Sequence, residues 1–214
     1  MADLTIDIVA DPICPWCYLG YTRLKAAIEH LGDDFRFDIH WLPFELHPDI
    51  PSAGVSRTQY LGQKFGSQEK LNEVSHALQN VGYEAGLEFN FTDDDLIPNT
   101  KLAQQFVAQA SRMSLATPMM TALFYAYFTK GENISDAAVL SRIAKEVGLQ
   151  DEDIEDALSR EAELLVEEKM ERLNRLQIES VPTYIVNEKY LVQGAHPPET
   201  FAEILTDINK ENDA

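Results

Sequence analysis

The chain of 214 residues has little cysteine: only Cys14 and Cys17. A secreted fold held by disulfides carries more cysteines, spaced further apart, so that scaffold is excluded. A structural zinc site takes four ligands, commonly two Cys-x-x-Cys pairs or one such pair with a closely spaced pair of histidines. His30, His40, His47, His76 and His196 offer no such spacing, and there is no second cysteine pair. Basic residues are also scarce, with 17 Lys and Arg against 36 Asp and Glu, a formal net charge of -19. That balance opposes binding to nucleic-acid phosphates and to anionic membranes, and its plainest consequence is solubility. No apolar run approaches the roughly 20 residues that span a bilayer. The opening Met1-Ala2-Asp3-Leu4-Thr5-Ile6-Asp7 has neither the basic stretch nor the apolar core of a secretory leader. A cytoplasmic location is therefore expected. There is no internal repeat and no low-complexity segment.

What is present begins with an alternating, Ile- and Val-rich stretch from Leu4 to Ala10 that predicts a strand ended by Asp11-Pro12. Leu24, Ala27, Ile28 and Leu31 recur at helical spacing after Cys14, and Gly32 predicts the stop. A second strand is expected from Phe35 to Leu42, closed by Pro43. From about Arg57 to Gln177 nearly everything reads as amphipathic helix. The stripes are Leu71-Val74-Leu78-Val81, Leu102-Phe106-Ala110, Met120-Leu123-Phe124-Tyr127, Val139-Ile143-Val147 and Ala162-Leu165-Val166-Leu173-Leu176. Ser135 is the expected cap of the fourth, and the acidic run from Asp151 to Asp156 reads as a solvated helix start. Thr183 to Val186 and Tyr190 to Val192 predict a hairpin turning at Asn187-Glu188-Lys189. Pro197-Pro198 opens a last helix with Phe201, Ile204, Leu205 and Ile208 on one face. The order β-α-β, helical block, β-β-α describes one α/β sheet divided by an all-helical insertion.

The chemistry concentrates at Cys14-Pro15-Trp16-Cys17, where a strand meets a helix. Disulfide exchange needs a thiolate, and a helix N-terminus favours that anion through its unpaired N–H groups and partial positive charge. Cys14 sits where that field is strongest, and Pro15 takes the first helical position, where its missing N–H costs nothing. Cys17 returns to the face of Cys14, close enough to bond its sulfur or to attack a mixed disulfide held on it. Trp16 is expected to project outward as an apolar platform for a partner. Ser180-Val181-Pro182-Thr183 is a second candidate. A proline before a strand is a routine boundary, usually trans. A cis bond would turn the Val181 backbone toward the sulfurs, ready to pair with an extended substrate.

Cys14-Pro15-Trp16-Cys17-Tyr18-Leu19-Gly20, Val181-Pro182-Thr183, Gly194-Ala195-His196-Pro197-Pro198-Glu199 and Phe44-Glu45-Leu46-His47-Pro48 together resemble the DsbA-like branch of the thioredoxin superfamily, and within it the FrnE-like oxidoreductases. The resemblance spans nearly the whole chain. It implies a thioredoxin-like domain of residues 1–42 and 178–214 carrying an inserted helical domain of residues 43–177. It also implies Cys14 as nucleophile, Cys17 as resolving thiol and Pro182 as the cis-proline. Trp16 stands where periplasmic DsbA has a histidine, so a cationic stabiliser of the Cys14 thiolate does not carry over. Nor does the further cysteine pair of some FrnE-like proteins.

Other residues carry weaker signals. Asp11 suits a turn cap, or a proton relay to Cys17. His47 and His196 lie in loops that such a fold brings toward the active edge. The run from Gly194 to His196 into the last helix offers N–H groups to a carboxylate such as that of glutathione, as any helix start does. Asn99 or Thr100 suits a helix cap.

The expected activity is dithiol–disulfide exchange with a disulfide- or thiol-containing protein or small molecule. It needs no bound cofactor and no metal, only an external thiol donor such as glutathione. The alternative is a glutathione-dependent isomerase or transferase, related to 2-hydroxychromene-2-carboxylate isomerase and kappa-class glutathione transferase, in which a serine takes the place of Cys14. A third reading is a binding module or chaperone without redox turnover.

Overall fold

The computed structural model describes residues 2–92 and 94–212. Strand β1 (Ala2–Ala10) leads into helix α1 (Pro15–Leu31) and strand β2 (Phe35–Pro43). Near the other end, β5 (Thr183–Val186) and β6 (Tyr190–Gln193) precede α9 (Pro198–Asn212). Between them lie β3 (Val55–Ser56), α2 (Arg57–Phe65), α3 (Gln68–Glu84), β4 (Leu96–Ile97), α4 (Lys101–Arg112), α5 (Ala116–Phe128), α6 (Ala137–Val147), α7 (Asp151–Ala157) and α8 (Arg160–Arg175).

The main sheet runs β2-β1-β5-β6. β1 pairs parallel with β2, Ile6 opposite Ile39, and antiparallel with β5, Ile8 opposite Tyr184. The central strand is thus flanked by one neighbour from each end of the chain. The hairpin turns on Asn187 and Glu188, both at positive φ, and the Asn187 side chain accepts from the Thr5 N–H, which fixes it to β1.

Alternation along β1 separates two layers. Leu4, Ile6 and Ile8 join Leu24 and Ala27 of α1 and Phe201 and Leu205 of α9 in the main apolar cluster. Val9 faces the other way, packing on Leu173 and Ile178 at the end of α8. The helical segment shares the main cluster. Tyr18 of α1 stacks on Phe124 of α5, centroids 5.0 Å apart, and the Trp41 indole N–H donates to Thr117 Oγ1.

The expected elements appear with local differences. The helical stretch is interrupted by the short β3–β4 pair, whose two-residue strands are too brief for a period-two signal. Ser135 does not cap α6. Asp136 does, accepting from the Ala138 N–H, while Ser135 bonds the Asn133 side chain. Adjacent Ser and Asp are both good caps, and the entry of the chain decides between them. Val74, Leu165 and Leu176 are exposed although they belong to predicted core stripes. Leu176 lies past the end of α8, and Val74 borders a cavity.

Candidate active site

Cys14 is the N-cap of α1, with extended backbone angles and no side-chain cap bond, and Pro15 follows at the first helical position. The Cys14 N–H donates to the Asp11 carbonyl at 2.9 Å, and the Cys14 carbonyl accepts from the N–H groups of Cys17 and Tyr18. The turn is therefore closed before the helix begins, and the sulfur stands at the positive end of α1. Both cysteines are free thiols and buried, while Trp16 between them is 46% exposed.

The strand–helix junction meets the far end of the chain here. The Val181–Pro182 peptide is cis, and the Cys14 thiol lies 3.9 Å from the Val181 carbonyl oxygen. Thr183 Oγ1 donates to the Ser180 carbonyl and the Gly194 N–H to that of Pro182, which holds this loop. Cys14, Pro15, Trp16 and Val181 border a cavity of about 270 Å³ lined mainly by apolar and aromatic side chains of α2, α3 and α5.

The two sulfurs differ in surroundings. Burial pushes the Cys17 thiol well above the ordinary range, and the Cys14 sulfur beside it pushes the same way. A hydrogen bond from the Asp11 backbone pulls modestly in the other direction. Cys17 thus holds its proton, and Cys14 stands at the helix end and the cavity. That asymmetry suits one attacking and one resolving thiol.

Asp11 is fully buried and serves as a clamp. Its two carboxylate oxygens accept from the N–H groups of Ile13 at 3.1 Å and Leu46 at 2.7 Å. Burial raises its pKa from the ordinary 3.8 to about 7, against those two bonds and one from the Thr100 side chain. The capping role anticipated for Asp11 is therefore present, extended to a second loop.

His47 lies on the cavity wall, its Nδ1 3.2 Å from the Tyr60 hydroxyl, its pKa lowered by burial and by Lys64. His196 is not in the cavity lining; it packs edge-on to Phe201. The Gly194–His196 segment lies outside the lining as well, with the Ala195 carbonyl accepting from Arg23. Thr100 is the N-cap of α4, without a side-chain cap bond and buried toward Asp11, while the Asn99 side chain before it accepts from the Lys101 N–H.

Several contributors carry no sequence motif. Gln104 of α4, 1% exposed, donates from its amide to the carbonyls of both Ala10 and Phe44, tying the helical segment to the strand ends beneath the cysteines. Nothing local in the sequence marks it, since Gln105 and Gln109 of the same helix are buried too. Tyr184 of β5 buries its hydroxyl against Gly20, without a hydrogen-bond partner among the described residues. Arg57 and Lys64 reach the cavity from α2.

Among the described residues, no group of three or more His, Cys, Asp or Glu is arranged to hold a metal ion, and no helix is long and apolar enough to cross a membrane.

YwbO of Bacillus subtilis strain 168, described as uncharacterized, is 26% identical over 208 residues, covering 96% of this chain and 98% of that protein. A structure described as a probable DsbA oxidoreductase, SCO1869 of Streptomyces coelicolor, superposes with a TM-score of 0.85 at 24% identity, covering 95% and 89% of the two chains. The cytosolic disulfide reductase DsbM of Pseudomonas aeruginosa, solved with GSH, gives 0.65 at 18% identity over 95% and 98%. A 2-hydroxychromene-2-carboxylate isomerase gives 0.73 at 16% identity over 98% of each chain. At such identities the structural likeness speaks to fold alone. The family model described as DSBA-like thioredoxin domain matches residues 5–206, and the chain belongs to that family.

Proposed function

We propose that the chain is a thiol–disulfide oxidoreductase that works by dithiol–disulfide exchange, with Cys14 attacking and Cys17 resolving. The observation that carries this reading is the pair of free thiols at the start of α1, one at the cavity and the other buried behind it. The Cys14 thiolate attacks a substrate disulfide, one substrate sulfur leaves, and a mixed disulfide forms. The Val181 carbonyl, facing the Cys14 thiol in the reduced pair, then becomes free to accept from the backbone of an extended substrate. Cys17 loses its proton, attacks the Cys14 sulfur and releases the second substrate thiol. Its raised pKa keeps that step subordinate to the first.

An external thiol such as glutathione returns the Cys14–Cys17 disulfide to the dithiol, and no resident cofactor enters the cycle. In a reducing cytoplasm, the compartment proposed here, the net direction is reduction or isomerisation of disulfides. Within the family we assign the chain to the FrnE-like group on its motif set. The inserted helices of residues 43–177 then serve as the substrate-facing part.

The apolar cavity beside Cys14 also favours a second reading, glutathione-dependent isomerisation or transfer of a small molecule. An insulin-reduction assay with glutathione as donor separates the two. Exchange predicts activity in the wild type and its loss in Cys14→Ser. Saturable glutathione binding without disulfide reduction by the wild type would overturn exchange in favour of the second reading.

A further inference from the structure

The cavity at Cys14 departs from the charge of the chain around it. The protein carries 36 acidic against 17 basic residues. Two other surface hollows follow that bias, one between α4 and α8 bordered by Asp156, Glu161 and Glu168 with Arg112, and one beside Phe44 by Glu45, Glu167 and Glu171, whereas a small polar one beside Arg57 and His76 does not. The hollow at Cys14 has no Asp or Glu among its described lining residues, and its charged members are Arg57 and Lys64. Arg57 is held from within, its guanidinium donating to Ser75 Oγ at 2.9 Å and lying 4.1 Å from the centre of the Phe91 ring. Lys64 stands exposed toward the end of the same helix. The rest of the wall is largely apolar, with Phe91, Phe128, Leu71 and Leu78 at its core. Such a site combines an apolar pocket with a few placed charges, the usual make-up of a small-molecule site.

We propose that this cavity selects low-molecular-weight disulfides that join an aromatic or branched apolar body to a carboxylate. The body lies against Phe91 and Phe128, the carboxylate meets Lys64, and the disulfide faces Cys14. The inference deepens the exchange reading and rests on it. The Cys14 thiolate bonds one sulfur of the substrate, RS–SR, and RS⁻ leaves to take a proton from solvent. Cys17 gives up its proton and bonds the Cys14 sulfur, releasing the second RS⁻. Two electrons pass from the dithiol to the substrate, and an external thiol restores them.

Net charge and local charge predict opposite outcomes, which makes the test decisive. Reduced protein is mixed in stopped flow with dithiobis(nitrobenzoate), an anionic aromatic disulfide, and with dithiodipyridine, a neutral one. Each rate is divided by that of mercaptoethanol under the same conditions. The proposal predicts a higher normalised rate for the anionic probe, slowed by added salt, because salt screens attraction. In Lys64→Glu the ratio of anionic to neutral rates falls by about three- to tenfold, the range of an exposed charge interaction reversed in sign. If the anionic probe is slower and salt accelerates it, repulsion by the whole chain governs and the proposal is overturned. If neither probe is reduced with formation of the Cys14–Cys17 disulfide, the exchange reading itself falls.

Discussion

The two walls of the active-site cleft are built differently. One wall, α1 with β1, β5 and the Val181–Pro182 loop, is held by sheet pairing, by the Asp11 clamp and by Gln104. The other, α2 and α3, packs chiefly on itself and on β3, and supplies the cavity lining of Lys64, Leu71 and Val74. The difference assigns tasks. The rigid wall fixes two sulfurs in unlike surroundings, and the outer wall decides what reaches them. Substitutions in the first are expected to affect chemistry or folding, and those in the second to change preference among substrates.

The largest expected effect is in the rigid wall, at the sulfurs. Cys14→Ser should abolish turnover in the insulin assay, because a hydroxyl neither ionises nor exchanges with disulfides under these conditions. Retained turnover would move the chemistry elsewhere.

Next comes Gly20. A β-carbon there would meet the Tyr184 hydroxyl, with Pro182 and Ala195 also in tight contact. Overpacking of a dense core costs about 1–3 kcal/mol, so Gly20→Ala should lower the midpoint of denaturant unfolding accordingly. Adding Tyr184→Phe should recover part of the loss. A Gly20→Ala protein as stable as the wild type would contradict the close packing of this wall at Gly20.

Gln104→Leu is expected to cost about 1–3 kcal/mol, since it strips the shared donor from the Ala10 and Phe44 carbonyls. The same chemical-denaturation series measures it.

Asp11 adds a pH dependence. Its pKa is higher in the folded chain, about 7, than the ordinary 3.8, so the folded state binds more protons between those values. The stability owed to this group is present below about pH 4 and is lost as pH rises toward 7. The stability of wild type relative to Asp11→Asn should therefore fall over that range, and a rise would contradict the burial account.

Tyr184→Phe has the smallest expected effect. It removes a buried hydroxyl that has no partner among the described residues, so unfolding stability should stay level or rise by about 1 kcal/mol.

The same contrast explains what could be read from the sequence. The strand and helix around Cys14-Pro15-Trp16-Cys17 and the hairpin from Thr183 carry local signals: a period of two, a Pro at a helix start, turn residues at fixed positions. Gly32 marks the stop of α1 for the same reason, its φ of 66° suiting a residue without a β-carbon. The outer wall is a product of long-range packing. Lys64 on an exposed helix looks like any solvated lysine until Phe91 and Cys14 are brought beside it. Gln104 reads as one more helix former until its two carbonyl partners, some 60 and 94 residues away in sequence, are known. Asp11 combined both kinds of information. Its bond to Ile13 is local and was anticipated as a cap, whereas its bond to Leu46 joins two loops.

The most direct test of the central claim is to trap the intermediate. Cys17→Ala, reduced and mixed with a small disulfide, should accumulate one mixed disulfide, located on Cys14 by peptide mass mapping and released by added thiol. The wild type under the same conditions should pass on to the Cys14–Cys17 disulfide with no lasting adduct. An unmodified Cys14 in the variant, together with a wild type whose two thiols persist, would contradict the account.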